Sequence, residues 1–358
     1  MSKPKIRFKG YEEDWEQRKL SEIATMHARI GWQNLRTSEF LDSGDYMLIT
    51  GTDFEDGTIN YSTCHYVEKE RYEQDKNIQI RNGSILITKD GTLGKVAYVQ
   101  GLTMPATLNA GVFNVEIKDK KETDEKYLFQ YLKAPFLMDY VTRHATGGTI
   151  KHLNQSILIN FPVYMPKKSE QEKIGLYLMQ LDSLITLHQR KCEETKKLKK
   201  YMLQKMFPQN GKRVPEIRFA GFTDDWEQRK LSDVVDSVDT GKSKFDKEGS
   251  SGEYPILGST SVIGYDDEYD YEGDFILTAR VGANAGSLYR HAGKVKISDN
   301  TVFIQASQNI EFLYQLLIRF DIKRLSFGTG QPLVKASELK RLELMMPTDM
   351  EEIGRAHV

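Results

Sequence analysis

Cysteine is scarce in this chain, and long apolar runs are missing. Only two cysteines, Cys64 and Cys192, occur among 358 residues, and they lie too far apart to form a metal-ligand pair. Such sparse use of cysteine is typical of a reducing compartment. No apolar run reaches the length of a membrane span, and the residues after Met1 do not resemble a signal peptide. We therefore expect a soluble, cytoplasmic protein without a membrane partner.

The motifs of several enzyme classes are also missing. The glycines around Gly94 lack P-loop spacing, and Gly282 to Gly286 lack the dinucleotide-binding pattern, so we interpret both as hairpin turns. Phe327 to Gly330 lacks the spacing of a methyl-donor loop, and neither an Asn/Asp-Pro-Pro-aromatic motif, a Gly-x-Ser-x-Gly motif nor a nuclease core occurs. The seven histidines show no metal spacing. We expect no catalytic residue, no metal ligand and no cofactor in this chain.

Net charge is close to zero, but it is unevenly distributed. Between Gln189 and Arg213 nine basic residues stand against Glu193 and Glu194, which gives this stretch a net charge of +7. One interpretation is a solvated helix face on which Glu193 reaches Lys197 four residues later. The other is a positive strip that lies near a phosphate backbone.

The stretch from Pro166 to Phe207 has the pattern of one long helix. Ser169 and Glu172 have the form of a capping box, and Pro208 ends the pattern. Apolar residues recur at heptad spacing, which predicts a seam for a partner helix. At ~1.5 Å per residue such a helix is roughly 55–60 Å long, and it cannot bury the seam against itself. The strongest seam positions are Ile174, Leu178, Leu181, Ile185 and Met202.

The sequence at the start of the chain is repeated after this helix. Residues 6–23 and 217–234 are identical at 12 of 18 positions, at an offset of 211. A second correspondence, at an offset of 181, relates the stretch from Gly147 to Pro166 with the stretch from Gly328 to Pro347. The two units thus share their ends and differ inside, as expected of copies that keep a scaffold but bind different targets. Aromatic and apolar residues of the repeat, among them Trp15 and Trp226, are interpreted as packing positions.

Strand patterns dominate both units. Strands are predicted on either side of the glycine turns and at 111–117 and 301–305, and short helices at 125–133 and 311–320. The fold class that we predict is α+β: two similar, mixed, strand-rich domains joined by a long coiled-coil-type helix. Polar residues beside the glycine turns suit contacts to DNA bases or phosphates, because Arg and Lys match guanine while Asn and Gln match adenine. The candidates are Lys89, Lys95, Arg143, His144 and Lys151 in the first unit, and Arg280, Asn284, Arg290 and Gln331 in the second.

Together these features resemble the specificity subunit of a type I restriction–modification system. The motifs are the duplicated Asp-Trp-Glu-Gln-Arg-Lys-Leu, the Gly-Thr-Gly-Gln-Pro stretch that ends at Pro332, and Glu-Gln-x-Lys-Ile-Gly between Pro166 and Gly175. The resemblance extends from about Lys5 to Glu352. It implies two target-recognition domains, each reading one half of a split double-stranded DNA site, with helical regions that set the spacing of the halves. It also implies partners: modification subunits that bind S-adenosylmethionine and methylate adenine, and restriction subunits that use ATP and Mg.

On this basis we predict four segments. They are a first target-recognition domain (1–165), a helical spacer (166–214), a second target-recognition domain (215–347) and the start of a distal helical region (348–358). The family pattern should restart a second long helix after Pro347, whereas residues 353–358 have the sequence that a sequencing adapter would encode. We therefore expect a chain truncated before its distal helix, whose exposed seam would favour dimerisation or aggregation.

Two other functions stay open at this point. One is a stand-alone DNA methyltransferase or nuclease with fused recognition domains, which the missing catalytic motifs disfavour. The other is a structural adaptor with a coiled-coil spacer, which the divergent interiors between similar frames disfavour. We expect a non-catalytic subunit that binds DNA.

Overall fold

The computed structural model describes the chain except residues 1–3, 32–33, 145–151, 210, 245–250, 326–331 and 348–358. The chain divides into two compact units, Met1–Arg190 and Lys191–Val358. The helix and strand content confirms the predicted mixed fold of two strand-rich units with a long helix between them. Each unit is described by itself below.

Unit 1 contains twelve strands and, besides single 3-10 turns, five short α-helices before the long one, counted within its described residues. The strands are β1 (Glu16–Lys19), β2 (Ala24–His27), β3 (Met47–Ile49), β4 (Phe54–Glu55), β5 (Thr58–Ile59), β6 (His65–Tyr66), β7 (Gln79–Ile80), β8 (Ile85–Thr88), β9 (Val96–Tyr98), β10 (Ala106–Leu108), β11 (Val112–Ile117) and β12 (Pro162–Met165). The helices are α1 (Leu20–Ile23), α2 (Lys69–Glu73), α3 (Glu125–Lys133), α4 (Phe136–His144) and α5 (Gln155–Leu158). The long helix α6 spans Lys168–Lys205.

Unit 2 has a simpler composition in its described residues. Its strands are β13 (Glu227–Lys230), β14 (Ser237–Thr240), β15 (Tyr254–Leu257), β16 (Val262–Asp266), β17 (Tyr271–Ala279), β18 (Leu288–Ile297), β19 (Thr301–Gln305) and β20 (Glu343–Met346). Its helices are α7 (Ile310–Phe320) and α8 (Ala336–Lys340).

The two units share one sheet order. Strands β2-β11-β8-β9 lie side by side in unit 1, and β14-β19-β17-β18 lie in the same order in unit 2, with antiparallel neighbours throughout. Unit 1 adds a separate sheet, β6-β3-β10-β7, whereas unit 2 extends its sheet with β15 and β16. The interiors therefore differ in architecture around a common sheet.

The two ends of each unit are held together by a strand pair. Strand β1 pairs antiparallel with β12, and β13 pairs in the equivalent register with β20. Just after these strands, Leu20 N donates to Phe161 O at 2.8 Å and Leu231 N donates to Leu342 O at 2.8 Å. Leu20 and Leu231 are both fully buried, and each packs in the hydrophobic core of its unit. The repeated sequence at the two unit starts thus forms the base of each unit.

Helix α6 begins one residue before the predicted capping position. Ser169 therefore lies inside the helix, and the capping-box prediction is wrong. Gln171 anchors this end instead: its Nε2 donates to Pro166 O at 2.8 Å, and its Oε1 accepts from Asp124 N at 2.9 Å. Arg7 adds a two-pronged ion pair to the buried carboxylate of Glu170, at 2.7 and 2.8 Å.

Candidate nucleic-acid interface

One loop occupies the same place in both units. In unit 1 it follows β8 and begins at Lys89, whose carbonyl accepts from Leu153 N at 2.8 Å. In unit 2 it follows β17 and begins at Arg280, whose carbonyl accepts from Val334 N at 2.8 Å. The next residue of each loop is also in an equivalent position: Asp90 forms an antiparallel β-bridge with His152, and Val281 forms one with Leu333. We call residues 89–95 and 280–286 the recognition loops.

The unit 1 loop is fixed against α4. Gly94 has a φ of +70°, and a Cβ there would lie 2.0 Å from Met138 Sδ, so a side chain does not fit. Lys95 is exposed beside it, while the Lys89 ammonium lies 5.5 Å from the centre of the Phe113 ring. The loop thus offers cations from a backbone that packing holds in place.

Arg143 and His144 lie at the end of α4, and both are exposed. Arg143 Nε donates to Asp139 O at 3.0 Å, and His144 Nδ1 lies 2.9 Å from Tyr140 O. The His144 ring stacks on Tyr140 with centroids 4.0 Å apart. Both side chains therefore follow their own helix and line a groove beside Trp15.

The unit 2 loop carries Arg280 and Asn284, which are both exposed. Gly286 closes the loop at a φ of +83°, where a Cβ would lie 2.7 Å from Lys323 N. Arg290 differs from these two because it lies on β18. It forms an ion pair with Glu311, and its guanidinium lies 5.0 Å from the Tyr314 ring centre, so this side chain is engaged within the unit. Lys151 and Gln331 lie outside the described residues.

Sequence reasoning missed Lys242 and Lys244, which are exposed just after β14. Ser243 between them donates its backbone N–H to Ile297 O at 3.0 Å, and Arg280 N donates to Asn300 O at 2.9 Å. The turn after β18 thus joins this lysine pair to the recognition loop of unit 2. Acidic groups are also present, because Ser243 Oγ donates to Asp270 at 2.5 Å. A Gly-Lys-Ser-Lys stretch directly after a strand was the available signal.

The seam positions of α6 differ in their surroundings. Ile174 packs against the core of unit 1, whereas Leu178 and Met202 are half-buried. Leu181 is 37% exposed and Ile185 is 55% exposed. Six further apolar or aromatic side chains of the helix are about half exposed: Leu176, Tyr177, Leu184, Leu187, Leu198 and Tyr201. The middle of the helix therefore presents apolar side chains to solvent.

The basic stretch of the same helix is also exposed. Within the helix Glu193 pairs with Lys196 at 2.8 Å, three residues apart, in place of the predicted contact with Lys197. Lys205, near the end of the stretch, pairs with Glu216 beyond the helix. The hydrogen bond from Lys196 lowers the pKa of the Glu193 carboxyl below its ordinary value. An exposed pair of this kind leaves most of the strip's positive charge unpaired within the helix.

In the part of the chain that the structure describes, no helix is long and apolar enough to cross a membrane. Within those same residues, no group of three or more His, Cys, Asp or Glu side chains is arranged to hold a metal ion.

Comparison with known proteins gives the family. The model for the type I restriction modification DNA specificity domain matches residues 12–197 and again residues 223–355. This chain therefore belongs to the type I restriction–modification DNA specificity family, with one such domain in each half. The resemblance stated from the repeat motifs is confirmed.

Individual relatives agree with this family. The type I restriction enzyme MjaVIII specificity subunit of Methanocaldococcus jannaschii is 24% identical over 93% of this chain and 86% of its own length. A relative from the same organism, named for the MjaX specificity subunit, is 26% identical over 70% of this chain but only 60% of that protein. Against this relative, the chain thus spans less than two thirds of the full length.

A solved structure shows the same fold. The S subunit of a type I restriction–modification system from M. genitalium is 17% identical, with a TM-score of 0.68 over 99% of this chain and 90% of that one. At this level of identity the likeness concerns the fold, and it confirms the predicted fold class.

Proposed function

We propose that this chain is the DNA-specificity subunit of a type I restriction–modification complex in which each unit contacts one half of a split DNA site. The observation that carries the proposal is the shared loop position: Lys89 and Arg280 accept the same backbone hydrogen bond at the start of loops with different side chains. A fixed frame with exchangeable polar side chains suits readout of different base sequences, because base edges are distinguished by donor and acceptor geometry.

The recognition loops would provide the first contacts. Lys95 and Lys89 in unit 1, and Arg280 and Asn284 in unit 2, are the side chains that we assign to DNA. Lys242 and Lys244 would add phosphate contacts in unit 2 because they lie on the neighbouring turn. We assign no base contact to Arg290, since Glu311 and Tyr314 hold it.

The remaining parts of the proposal concern partners. Helix α6 would set the spacing between the half-sites, and its exposed seam would pack against another helix. The modification subunits would supply S-adenosylmethionine and the methyl-transfer chemistry, and restriction subunits would supply ATP- and Mg-dependent cleavage. This chain would contribute recognition and assembly.

The test is to co-express the chain with a type I modification subunit in a methylation-free host and to map adenine methylation across the genome. We expect one split motif, two short half-sites around a fixed gap. Arg280→Ala should relax or abolish one half-site only, and Lys89→Ala the other. Arg229→Ala, an exposed arginine on β13, is the matched control and should leave the motif unchanged. Methylation that spreads without a split motif would contradict the proposal.

A further inference from the structure

The second residue of each recognition loop is paired with a distant residue of the same unit. Asp90 forms an antiparallel β-bridge with His152, and Val281 forms one with Leu333. At both bridges the backbone hydrogen bonds run between the flanking residues and not between the bridged residues themselves. In an antiparallel pair of this kind the two side chains lie close together on one face. Each loop therefore presents two neighbouring side chains from a backbone position that hydrogen bonds hold in place.

The bridge pair of unit 1 is polar and open to solvent. His152 Nδ1 lies 2.6 Å from Asp90 Oδ1, and 69% of the His152 side chain and 41% of the Asp90 side chain are exposed. Gly111 lies next to the carboxylate, because a Cβ on this glycine would be 3.8 Å from Asp90 Oδ2. Gly111 has no side chain that could cover Oδ2. A ligand can therefore reach both members of the pair.

The carboxylate determines the hydrogen-bond chemistry of this pair. An ionised carboxylate only accepts hydrogen bonds, so the proton of the contact is assigned to His152 Nδ1, and the neutral ring keeps a lone pair on Nε2. Among the described residues, neither Asp90 Oδ2 nor His152 Nε2 has a hydrogen-bond partner. The pair thus presents two acceptors and no donor.

The bridge pair of unit 2 has an equivalent backbone and different chemistry. Val281 and Leu333 carry no polar side-chain atom, and both are half-buried. Gly282 N donates to Pro332 O at 3.1 Å on one side of this bridge, and Arg280 O accepts on the other. One backbone geometry with two unlike side-chain pairs is suited to distinguishing the two halves of a DNA site.

We propose that the Asp90–His152 pair reads the exocyclic amino group of one adenine or cytosine in the half-site that unit 1 contacts. In the major groove the only donors are adenine N6 and cytosine N4, so a pair that offers acceptors alone selects these bases over guanine and thymine. Asp90 Oδ2 accepts the hydrogen bond, and His152 is a positioning residue that holds the other oxygen. Lys89 and Lys95 on the same loop offset the repulsion between this carboxylate and the DNA phosphates. This inference rests on the proposed function and concerns two residues that are not among the predicted DNA contacts.

The main experiment uses the assembled complex of this chain with a type I modification subunit and duplexes that carry its mapped methylation motif. In each duplex one adenine or cytosine, apart from those that become methylated, is replaced by a base without the exocyclic amino group. One replacement should weaken binding by the unaltered complex about 5- to 150-fold more than binding by the Asp90→Val complex. This comparison subtracts the effect of the lost base-pair hydrogen bond, because both complexes experience it. Asp90→Val copies the unit 2 residue at the equivalent bridge, so we expect the variant to fold.

Further measurements separate base recognition from general effects. His152→Leu should reduce the response to that one base without removing it, because the Asp90 carboxylate remains. With non-specific DNA, the Asp90→Val complex should bind at least as tightly as the unaltered complex, because a negative charge near the phosphates is lost. Glu70→Gln removes an exposed carboxylate on α2 and is the matched control. It should leave the response to every replaced base unchanged.

The possible outcomes distinguish this inference from the proposed function. If the unaltered complex methylates a split motif and Asp90→Val does not change the response to any replaced base, the pair reads no amino group, and the proposed function stands. Equal weakening of specific and non-specific binding by Asp90→Val also overturns the inference, because a structural role gives that result. A complex without any split motif overturns both. Circular dichroism melting curves check each variant, and Asp90→Ala takes the place of Asp90→Val if the latter is unfolded.

Discussion

Lys89 and Arg280 occupy one backbone position in two loops of unrelated sequence. Each carbonyl accepts a hydrogen bond of 2.8 Å within its own unit, Lys89 O from Leu153 N and Arg280 O from Val334 N. The two donor residues, Leu153 and Val334, are 181 positions apart in the sequence. The shared backbone hydrogen bond thus fixes the position of a basic residue at the start of each loop. The other side chains of the loop differ between the two units.

The first prediction concerns DNA affinity. Arg280→Ala should weaken specific binding by about 1–3 kcal/mol if the guanidinium reads a base, because its donor pair is lost. If it contacts only phosphate, binding weakens uniformly across sequences and the salt slope falls by about 1. Titrations of the assembled complex at several salt concentrations distinguish these results. An Arg280→Ala complex with unchanged affinity at every salt concentration would remove this residue from the interface.

The second prediction concerns the end of α6. Phe207 is 6% exposed and lies in the unit 2 core, so Phe207→Ala should leave a cavity and destabilise that unit by about 3–5 kcal/mol. Denaturant unfolding can be followed through Trp226 after the other tryptophans, Trp15 and Trp32, are replaced by Phe.

The matched control for Phe207 is Leu187→Ala on the same helix. Leu187 is 60% exposed, so its truncation should change the free energy of unfolding by less than about 0.5 kcal/mol. Equal destabilisation by both substitutions would mean that Phe207 is not a core residue.

The third prediction concerns Gly175 at the start of α6. A Cβ at this position would lie 2.6 Å from Tyr127 N, so the helix approaches α3 more closely than alanine permits. Gly175→Ala should therefore force the helices apart and destabilise unit 1 by about 1–3 kcal/mol, despite the better helix propensity of alanine. Gly31→Ala is the control, since a Cβ there meets no atom within 4 Å. A stabilised Gly175→Ala protein would show that this contact is loose.

The fourth prediction concerns thiol reactivity. Burial, reinforced by the charge of Asp53, raises the pKa of Cys64 to about 12, whereas Cys192 is exposed on α6. An alkylating reagent at pH 8 should therefore modify Cys192 in the folded protein and Cys64 only after unfolding, because the thiolate is the nucleophile. Peptide mass spectrometry reports both sites, and Cys192→Ser should leave the folded protein unlabelled.

The same shift gives a pH dependence. The thiol pKa is higher in the folded chain than the ordinary value of 9.0, so only the unfolded chain ionises readily between about 9 and 12. The contribution of Cys64 to stability is fully present below pH 9 and is lost as the pH rises toward 12. Cys64→Ala should flatten the fall in melting temperature over this range. Rapid labelling of Cys64 in the folded protein would contradict both results.

Many helices and strands could be predicted from the sequence, because the local patterns of apolar residues agree with the packing in the structure. The helix predicted over Pro166 to Phe207 spans Lys168–Lys205, and the predicted stretches 125–133 and 301–305 form α3 and β19. The repeat at offsets 211 and 181 also predicted which residues would recur in equivalent places. The periodicity of apolar residues and the proline that ends a helix depend on near neighbours, and these neighbours are in the sequence.

The parts that sequence missed depend on distant partners. Ser169 has the form of a helix cap, but Gln171 fixes the helix start through Asp124, more than forty residues away. Arg290 forms an ion pair with Glu311 and lies over the ring of Tyr314, two partners that the sequence around Arg290 does not indicate, and its assignment to DNA stays a prediction. The separate sheet of unit 1 includes a parallel pairing of β3 with β10, and no local sequence pattern predicts this pairing. The assignments of Lys89, Lys95, Arg143, His144, Arg280 and Asn284 to DNA stay predictions.

The strand pairs β1–β12 and β13–β20 have an evolutionary consequence. Each pair places the first and last strands of a unit side by side. The chain between them therefore starts and ends at the same short two-stranded base. Recombination between two related genes within the repeated start and the repeated end would exchange the whole interior. The base strands would keep their register, because both crossover points lie in sequence that the units share. The difference of 30 residues between the two interiors shows that this base tolerates inserts of different length. New DNA targets could thus arise through exchange of entire interiors, without a gradual change of contacts.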